Sequence, residues 1–388
     1  MTTQYLTIVA LSNKTVTSTK LSFFIAGFGY AAWAPLVPYA KERLSADTSI
    51  LGMIMLCLGL GAMIGMPLAG IFTSRFGCNR VIILGSMGLI ILLPLLTILS
   101  NIYLFSITLF FFGLALGATD IAANVHAAKV QSLLDKPLMP LFHGFYSIGG
   151  LIGVALLTML LALFKIDVVI AAIIASICIL IGLYFSVPNY LDTGEEISEK
   201  NSFFVWPKGS VIIIGLLCLI IFLAEGALLD WGALLLIEYK NINVEVAGVA
   251  YVIFALALAL ARFTGTQMVI KFGETKILLI GFVFTGLGLA ATALSFSLPY
   301  VLGSIFITGL AAGNVIPILF SLAGKQKVMP VSHAISSVGS LGYLGLLMGP
   351  AIIGYVAHMI GLNSTFYVIA LLTVFSIILI PYVLKIRS

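Results

Sequence analysis

The second half of this chain repeats the first at a fixed spacing, and this duplication limits the possible folds more than any other feature. Residues 75–81 carry a basic residue, Phe-Gly and a second basic residue, and the pattern returns at residues 271–277. The glycines at the ends of residues 113–117 return at residues 309–313, again 196 positions later. The 388-residue chain is therefore two copies of one unit.

The repeated unit has the composition of a membrane protein. Hydrophobic residues make up 61% of the chain and charged residues 9%, whereas soluble domains carry about 25% charged residues. Apolar stretches of bilayer-crossing length, about 20 residues each, occur six times in each repeat. They are residues 19–42, 50–74, 80–99, 102–128, 141–164, 167–187, 209–237, 246–270, 276–297, 299–324, 332–359 and 364–385. We predict an all-α membrane protein of twelve transmembrane helices, the first retained and not a cleaved signal peptide.

The distribution of Lys and Arg predicts the orientation. With the N-terminus in the cytoplasm, fourteen of the 19 basic residues fall on the inner side, four on the outer side and Arg262 within a span. This follows the positive-inside rule, so we expect a multi-pass inner-membrane protein with both termini cytoplasmic. The net charge of +5 is then explained by topology, and no nucleic-acid partner is expected.

The charged stretch between the sixth and seventh spans divides the chain. We predict an N-terminal six-helix bundle at residues 1–187, a cytoplasmic linker at 188–208 and a C-terminal six-helix bundle at 209–388. No P-loop signature is present, which argues against direct use of ATP. We expect no cofactor, a gradient as the energy source if there is one, and a monomer in the lipid bilayer.

The residue types needed for metal binding or enzyme chemistry are scattered. The four cysteines occur singly and mostly within spans, as small apolar residues do. The four histidines lie at or near span ends without metal-ligand spacing. They are His126, His143, His333 and His358. We expect solvated or capping histidines, no metal site and no enzyme.

The fourth span contains one acid on a face of small residues. Asp120 follows Gly113 and Gly117 at helical spacing, and Asn124 lies one turn further. Ionisable groups at bilayer depth cost about 2.5–3.5 kcal/mol on insertion scales and usually mark function. Proton or substrate binding and a structural ion pair both fit Asp120, and the small residues allow either a helix or a ligand to approach.

The second repeat contains the remaining charges at membrane depth. Glu225 lies inside the seventh span, and Asp230 lies nearer its outer end, where it lines a cavity or caps the interface. Arg262 is the only cation well inside a span, and a buried guanidinium demands a carboxylate or several carbonyls. A salt bridge that opens on protonation and a permanent structural pair are both consistent with it.

A few polar and aromatic residues are candidates for substrate contact. Asn314 precedes Pro317, which kinks the tenth span and frees a backbone carbonyl. Stacking on a substrate ring, ordinary packing and an interfacial belt all fit three aromatic residues. They are Tyr30, Trp33 and Trp231.

Glycine-rich faces occur in the fifth and eleventh spans. Gly149 in the fifth span, and Gly345, Gly349 and Pro350 in the eleventh, allow backbones to approach closely. They suit helices that slide during gating, and tight packing without motion explains them as well.

Several stretches resemble a known family. The loop after the second span is similar to the signature of major facilitator superfamily transporters in Gly70, Arg75, Gly77 and Arg80, with Ser74 where that signature usually has Asp. Four further stretches resemble the fucose:proton symporter family within it. They are residues 120–124, Glu225 with Trp231, residues 261–266 and residues 317–322.

The resemblance implies a fold and a mechanism. It implies the major facilitator fold, two pseudo-symmetric six-helix bundles with a central site lined by the first, fourth, seventh and tenth helices. It also implies that Asp120 takes the coupling proton. From the residues themselves we expect Arg262 to be its switchable partner, Glu225 to be a further candidate for proton coupling, and the loop signature to take part in gating. The remaining candidates for substrate contact are Tyr30, Trp33, Asn124, Glu225, Asn314 and Trp231.

Proton-coupled symport of a small, neutral, moderately polar solute is the first functional hypothesis. Ala34 stands where the sugar symporter has a second acid, and buried amides are scarce, which argues against a hexose. The alternatives are a proton-driven exporter of an apolar compound, since Gly349-Pro350 resembles the Gly-Pro element of antiporters, and, more remotely, a non-transporting receptor.

Overall fold

The computed structural model describes residues 2–46, 48–191, 206–240, 249–294 and 297–384. Within these ranges, twelve helices are long and apolar enough to cross a membrane. They are α1 (Asn13–Arg43), α2 (Met53–Phe76), α3 (Cys78–Ile98), α4 (Ile102–Leu134), α5 (Met139–Leu163), α6 (Val168–Asn189), α7 (Ser210–Ile237), α8 (Val249–Phe272), α9 (Glu274–Leu294), α10 (Leu298–Lys325), α11 (Val331–Ile360) and α12 (Leu362–Val383). The predicted fold class, an all-α protein with twelve transmembrane helices, is confirmed.

Local sequence signals set several helix ends. Asn101 precedes α4, and its side-chain oxygen accepts hydrogen bonds from the first free backbone amides of that helix. Asp167 does the same for α6. Gly77 between α2 and α3 and Gly273 between α8 and α9 have φ values of 80° and 79°, a conformation that favours glycine. The repeat is therefore preserved in backbone geometry.

The first helix starts earlier than the apolar stretch predicts. Continuous helix runs from Thr2 to Ala32, a 3-10 turn follows at Ala34–Leu36, and a short helix covers Val37–Arg43. Pro35 and Pro38 explain the interruption, because neither has an N–H to donate to the preceding turn.

The tenth helix is broken where its repeat counterpart is continuous. It consists of Leu298–Ala312 and Val315–Lys325, separated by a turn at Gly313 and Asn314. The corresponding helix of the first repeat, α4, is unbroken over its whole length. This turn positions part of the candidate site.

Backbone contacts divide the chain into two compact units. Unit 1 consists of Met1–Lys136, Phe145–Trp206 and Pro330–Ser336, and unit 2 consists of Pro137–Gly144, Pro207–Met329 and Ser337–Ser388. Each has its own apolar core, around Phe28 and Phe105 in unit 1 and around Phe254 and Phe366 in unit 2. The predicted linker is covered only at its ends, since residues 192–205 lie outside the described residues.

Candidate substrate and proton site

The acid of unit 1 that we predict to carry the proton is buried beside an amide. Asp120 lies within α4, and Asn124 lies one turn further along. The Asn124 Nδ2 donates to the main-chain carbonyl of Asp120 at 2.9 Å and approaches its Oδ1 at 3.4 Å. The structure therefore brings together the two polar residues that the sequence placed on one face.

The small residues before Asp120 serve helix packing. A Cβ at Gly117 would lie 2.5 Å from the carbonyl oxygen of Ala62, and a Cβ at Gly113 would overlap the carbonyl oxygen of Leu58. Both partners lie on α2, whose backbone approaches α4 closely. Another helix, and not a ligand, occupies this part of the face.

The aromatic candidates of unit 1 have different environments. Trp33 is buried, and its ring centroid lies 6.0 Å from that of Phe105 in the apolar core. Its indole Nε1 is nevertheless buried, with no hydrogen-bond partner within the described ranges. Tyr30 is 45% exposed, and Ala34 is exposed. Trp33 thus packs as a core residue but keeps one unsatisfied donor, which is uncommon for a buried indole.

Unit 2 contains a buried acid within electrostatic range of a buried cation. Glu225 in α7 and Arg262 in α8 are 5% and 9% exposed, and the two charges interact. The Glu225 Oε1 is buried, and the described residues provide it with no hydrogen-bond partner. A carboxyl oxygen in this state costs free energy that a proton or a ligand donor would recover.

Two reciprocal hydrogen bonds join α8 to the break in α10. The Arg262 Nε donates to the carbonyl oxygen of Gly313 at 3.3 Å, and the Asn314 Nδ2 donates to that of Ala261 at 2.8 Å. Each side chain therefore binds the peptide group next to the other. We call these four residues the 262–314 clasp. Asn314 is buried, and no hydrogen-bond partner for its Oδ1 is found in the part of the chain that the structure describes.

The C-terminal part of α7 is more exposed. Asp230 is exposed, and Trp231 is half-buried with its ring close to Gly354, where a Cβ would lie 3.1 Å from ring carbons. The indole Nε1 of Trp231 is buried, and no described residue forms a hydrogen bond with it. Of the two acids on this helix, Glu225 is the deeper, as its position in the sequence indicates.

The predicted gating glycines make close helix contacts within their units. A Cβ at Gly149 would overlap the Phe24 carbonyl on α1, and one at Gly345 would overlap the Leu219 carbonyl on α7. Gly149 and Gly345 are repeat-related, so α5 and α11 pack in the same way. Gly349 is looser, since a Cβ there would lie 3.3 Å from the side chain of Leu223.

The remaining gating candidates lie near helix ends or inside α11. Gly77 is buried between α2 and α3, Arg75 is half-buried and Arg80 is exposed. Pro350 lies inside α11. A Cβ at Gly70 would lie 2.5 Å from the Cβ of Ser336. These are packing observations, and the gating role stays a prediction.

The short segments that group with the opposite repeat make matching contacts. In unit 1, the Ser336 Oγ donates to the Met66 carbonyl at 2.8 Å. In unit 2, the Thr266 Oγ1 donates to the Pro137 carbonyl at 2.9 Å, and a Cβ at Gly265 would lie 2.5 Å from Pro140. Sequence periodicity gives no signal for such contacts, because they join residues far apart in the chain.

One of the histidines has a buried structural role that the sequence analysis missed. His126 is fully buried, and its Nε2 accepts a hydrogen bond from the Leu191 amide at 3.0 Å. The proton of the neutral ring is therefore on Nδ1, which lies 3.1 Å from the Thr19 Oγ1. The His126 ring also meets Tyr190 edge-on at 5.2 Å. The expectation of a solvated histidine is wrong for His126, and also for His143 and His333, which are buried, whereas His358 is exposed.

Twelve apolar helices of bilayer length among the described residues of a duplicated chain, with ionisable side chains buried in both units, are typical of a polytopic membrane transporter. The family model of the Major Facilitator Superfamily matches residues 21–235 and 214–388. The chain therefore belongs to the major facilitator superfamily, as the loop signature indicated, and it is a transporter and not an enzyme.

Relatives and solved structures agree with this assignment. An uncharacterized MFS-type transporter of Yersinia pestis is 39% identical over 356 residues, 92% of each chain. The membrane protein MosC of Rhizobium meliloti is 27% identical, over 90% of this chain and 85% of the relative. Among solved structures, the Escherichia coli fucose:proton symporter superposes with a TM-score of 0.77 at 18% identity, covering 95% of this chain and 98% of the symporter. At that identity the likeness shows the fold alone.

Proposed function

We propose that this transporter is a proton-coupled symporter that moves a small organic solute across the inner membrane by alternating access. The observation that carries the proposal is Glu225, a buried acid with one oxygen lacking a partner and a buried cation, Arg262, within electrostatic range. Perturbed, buried ionisable pairs of this kind concentrate at functional sites.

The proton roles are assigned within each unit. Asp120 carries the coupling proton in unit 1, where Asn124 orients it. In unit 2, Arg262 is the cation whose interaction with Glu225 changes when that acid gains a proton or a ligand donor. Because opening a buried charge pair without compensation costs about 3–5 kcal/mol, protonation and ligand binding can bias the conformations of the transporter.

The unsatisfied polar atoms indicate the substrate class. Glu225 Oε1 and Asn314 Oδ1 are buried acceptors, and the indole N–H groups of Trp33 and Trp231 are buried donors. None of the four has a hydrogen-bond partner among the described residues. A solute carrying at least one hydroxyl or amine donor and one acceptor, on a partly apolar body, matches this inventory. A hexose matches poorly, because Ala34 has no polar group where a second acid would serve further hydroxyls.

A proton-driven exporter is the second candidate. It is favoured by Pro350 inside α11, with Gly349 close to α7, an arrangement that resembles the Gly-Pro element of antiporters.

The test begins with a ligand-stabilisation screen on the purified protein. A ligand at 100 times its Kd adds about 2.7 kcal/mol of stability, and fucose and related hexoses at millimolar concentration should add none. Proteoliposomes with an imposed pH gradient then distinguish the candidates. Accumulation of the solute on the side towards which protons flow supports symport. Accumulation on the side from which protons flow supports export. Solute movement that does not depend on the pH gradient refutes both.

A further inference from the structure

At the break in α10 the Gly313 carbonyl lacks the backbone donor that a regular helix would provide. The Arg262 side chain donates a hydrogen bond to it instead. In a continuous α-helix the Gly313 carbonyl would accept from the amide of residue 317. That residue is Pro317, which has no N–H. Gly313 is buried, so its carbonyl needs another donor. The Arg262 Nε supplies it at 3.3 Å.

The first repeat shows the same helix positions without a proline or an arginine, within the same chain. The counterparts of Gly313, Pro317 and Arg262, at a spacing of 196 residues, are Gly117, Ile121 and Met66. Ile121 has an amide for the Gly117 carbonyl, Met66 has no donor, and α4 is continuous there. The proline, the broken turn and the arginine therefore occur together in one repeat and are all missing from the other.

The 262–314 clasp also links Arg262 to Asn314, which is a candidate for substrate contact. The carbonyl bound by Arg262 belongs to the peptide group that joins Gly313 to Asn314. The Asn314 amide is oriented by its bond to Ala261, which leaves Oδ1 as the buried acceptor. A displacement of this peptide group would move the acceptor and the anchor of the guanidinium together.

We propose that Pro317 is a positioning residue for Arg262: by removing the backbone donor, it reserves the Gly313 carbonyl for Nε and so fixes the guanidinium within range of Glu225. Arginine suits this role because its Nε and its two Nη groups are separate donors in a rigid fork. Lysine offers a single nitrogen and cannot serve a carbonyl and a carboxylate from fixed, separate positions. The inference rests on the proposed function for its role in transport.

The test is a double-mutant cycle between Pro317→Ala and Arg262→Lys, read as the Tm of the purified full-length protein. The alanine substitution restores the backbone N–H, so the Gly313 carbonyl no longer depends on the arginine. Arg262→Lys should therefore lower Tm by at least about 2 °C less in the Pro317→Ala background than in the wild type. Additive effects would overturn the proposal. So would a Pro317→Ala protein that does not fold, because the proposal holds that a backbone amide can replace Nε.

A second measurement separates positioning from mere structure. Infrared difference spectra, with Glu225→Gln as the reference, follow the titration of the Glu225 carboxyl. Its midpoint should move by at least about half a pH unit in Pro317→Ala and should not move in Pro94→Ala, which removes a helix-interior proline from α3 in unit 1. An unchanged midpoint in Pro317→Ala would overturn the proposal.

Neither measurement requires a substrate or transport. A failure of the cycle therefore refutes the positioning role alone, whereas a failure of proton-driven uptake refutes the proposed function and leaves the cycle intact.

Discussion

Replacing His126 by leucine should destabilise unit 1 by removing the acceptor that holds the chain after α6. The Leu191 amide donates to the His126 Nε2 at 3.0 Å, and the Thr19 hydroxyl lies 3.1 Å from Nδ1. Leucine has a similar volume but no polar atom, so the partly buried Leu191 amide loses its partner. Thr19 keeps its bond to the Thr15 carbonyl at 2.8 Å.

The magnitude follows from these contacts. An unsatisfied, partly buried amide costs about 1–2 kcal/mol, and the lost Thr19 contact about 0.5–1 kcal/mol. Loss of the edge-on contact with Tyr190 adds about 0.5–1 kcal/mol. We expect His126→Leu to lower the free energy of unfolding by about 2–4 kcal/mol, or the Tm of this 388-residue chain by on the order of 2–5 °C.

The assay is thermal unfolding of the purified protein with two comparison variants. His126→Gln keeps a side-chain acceptor at the distance of Nε2 and should recover a large part of the loss. His358→Leu changes an exposed histidine and should be close to neutral. A His126→Leu protein as stable as the wild type, or a glutamine variant no better than leucine, would refute the reasoning.

Two further substitutions test packing and pH dependence. Gly265→Ala should destabilise the protein by about 1–3 kcal/mol, since the added Cβ would overlap the Asn314 side chain. Gly303→Ala, which has open space around it, should be neutral or slightly stabilising. Equal effects of the two substitutions would contradict this. Burial raises the pKa of Tyr190, which lies just beyond α6. Its folded pKa thus exceeds the unfolded value of about 10, so its contribution to stability is present below about pH 10 and is lost as pH rises further. Tyr190→Phe should show a shallower loss of stability above that pH than the wild type, and an identical slope would contradict this.

The helices and the class of protein could be predicted because their signals are local or internal to the sequence. Bilayer-length apolar runs locate the spans, and repeat-related glycines such as Gly77 and Gly273 keep the same backbone geometry. The burial of Asp120, Glu225 and Arg262 also followed from their positions inside apolar stretches. Their roles in transport stay predictions.

The hydrogen-bond partners of His126 and Arg262 could not be predicted, because they depend on tertiary contacts that sequence periodicity does not encode. The polar cluster around His126 joins Thr19, far earlier in the chain, to Leu191, far later. The clasp likewise needs Arg262 to meet Gly313 across two helices. The sequence showed that Pro317 frees a carbonyl, but only the fold identifies the group that binds it. Similarly, the sequence cannot show whether a helix or a ligand packs against small residues such as Gly117. The position of α2 in the fold shows that a helix does.

The most direct test of proton coupling is substrate-induced proton movement in lightly buffered proteoliposomes. Addition of the solute identified by the stabilisation screen should drive protons inward with it, and this flux should be lost in Asp120→Asn and Glu225→Gln. Asp230→Asn, which changes an exposed acid on α7, should retain it. Solute uptake without proton movement in the wild type, or undiminished proton flux in Asp120→Asn, would contradict the account.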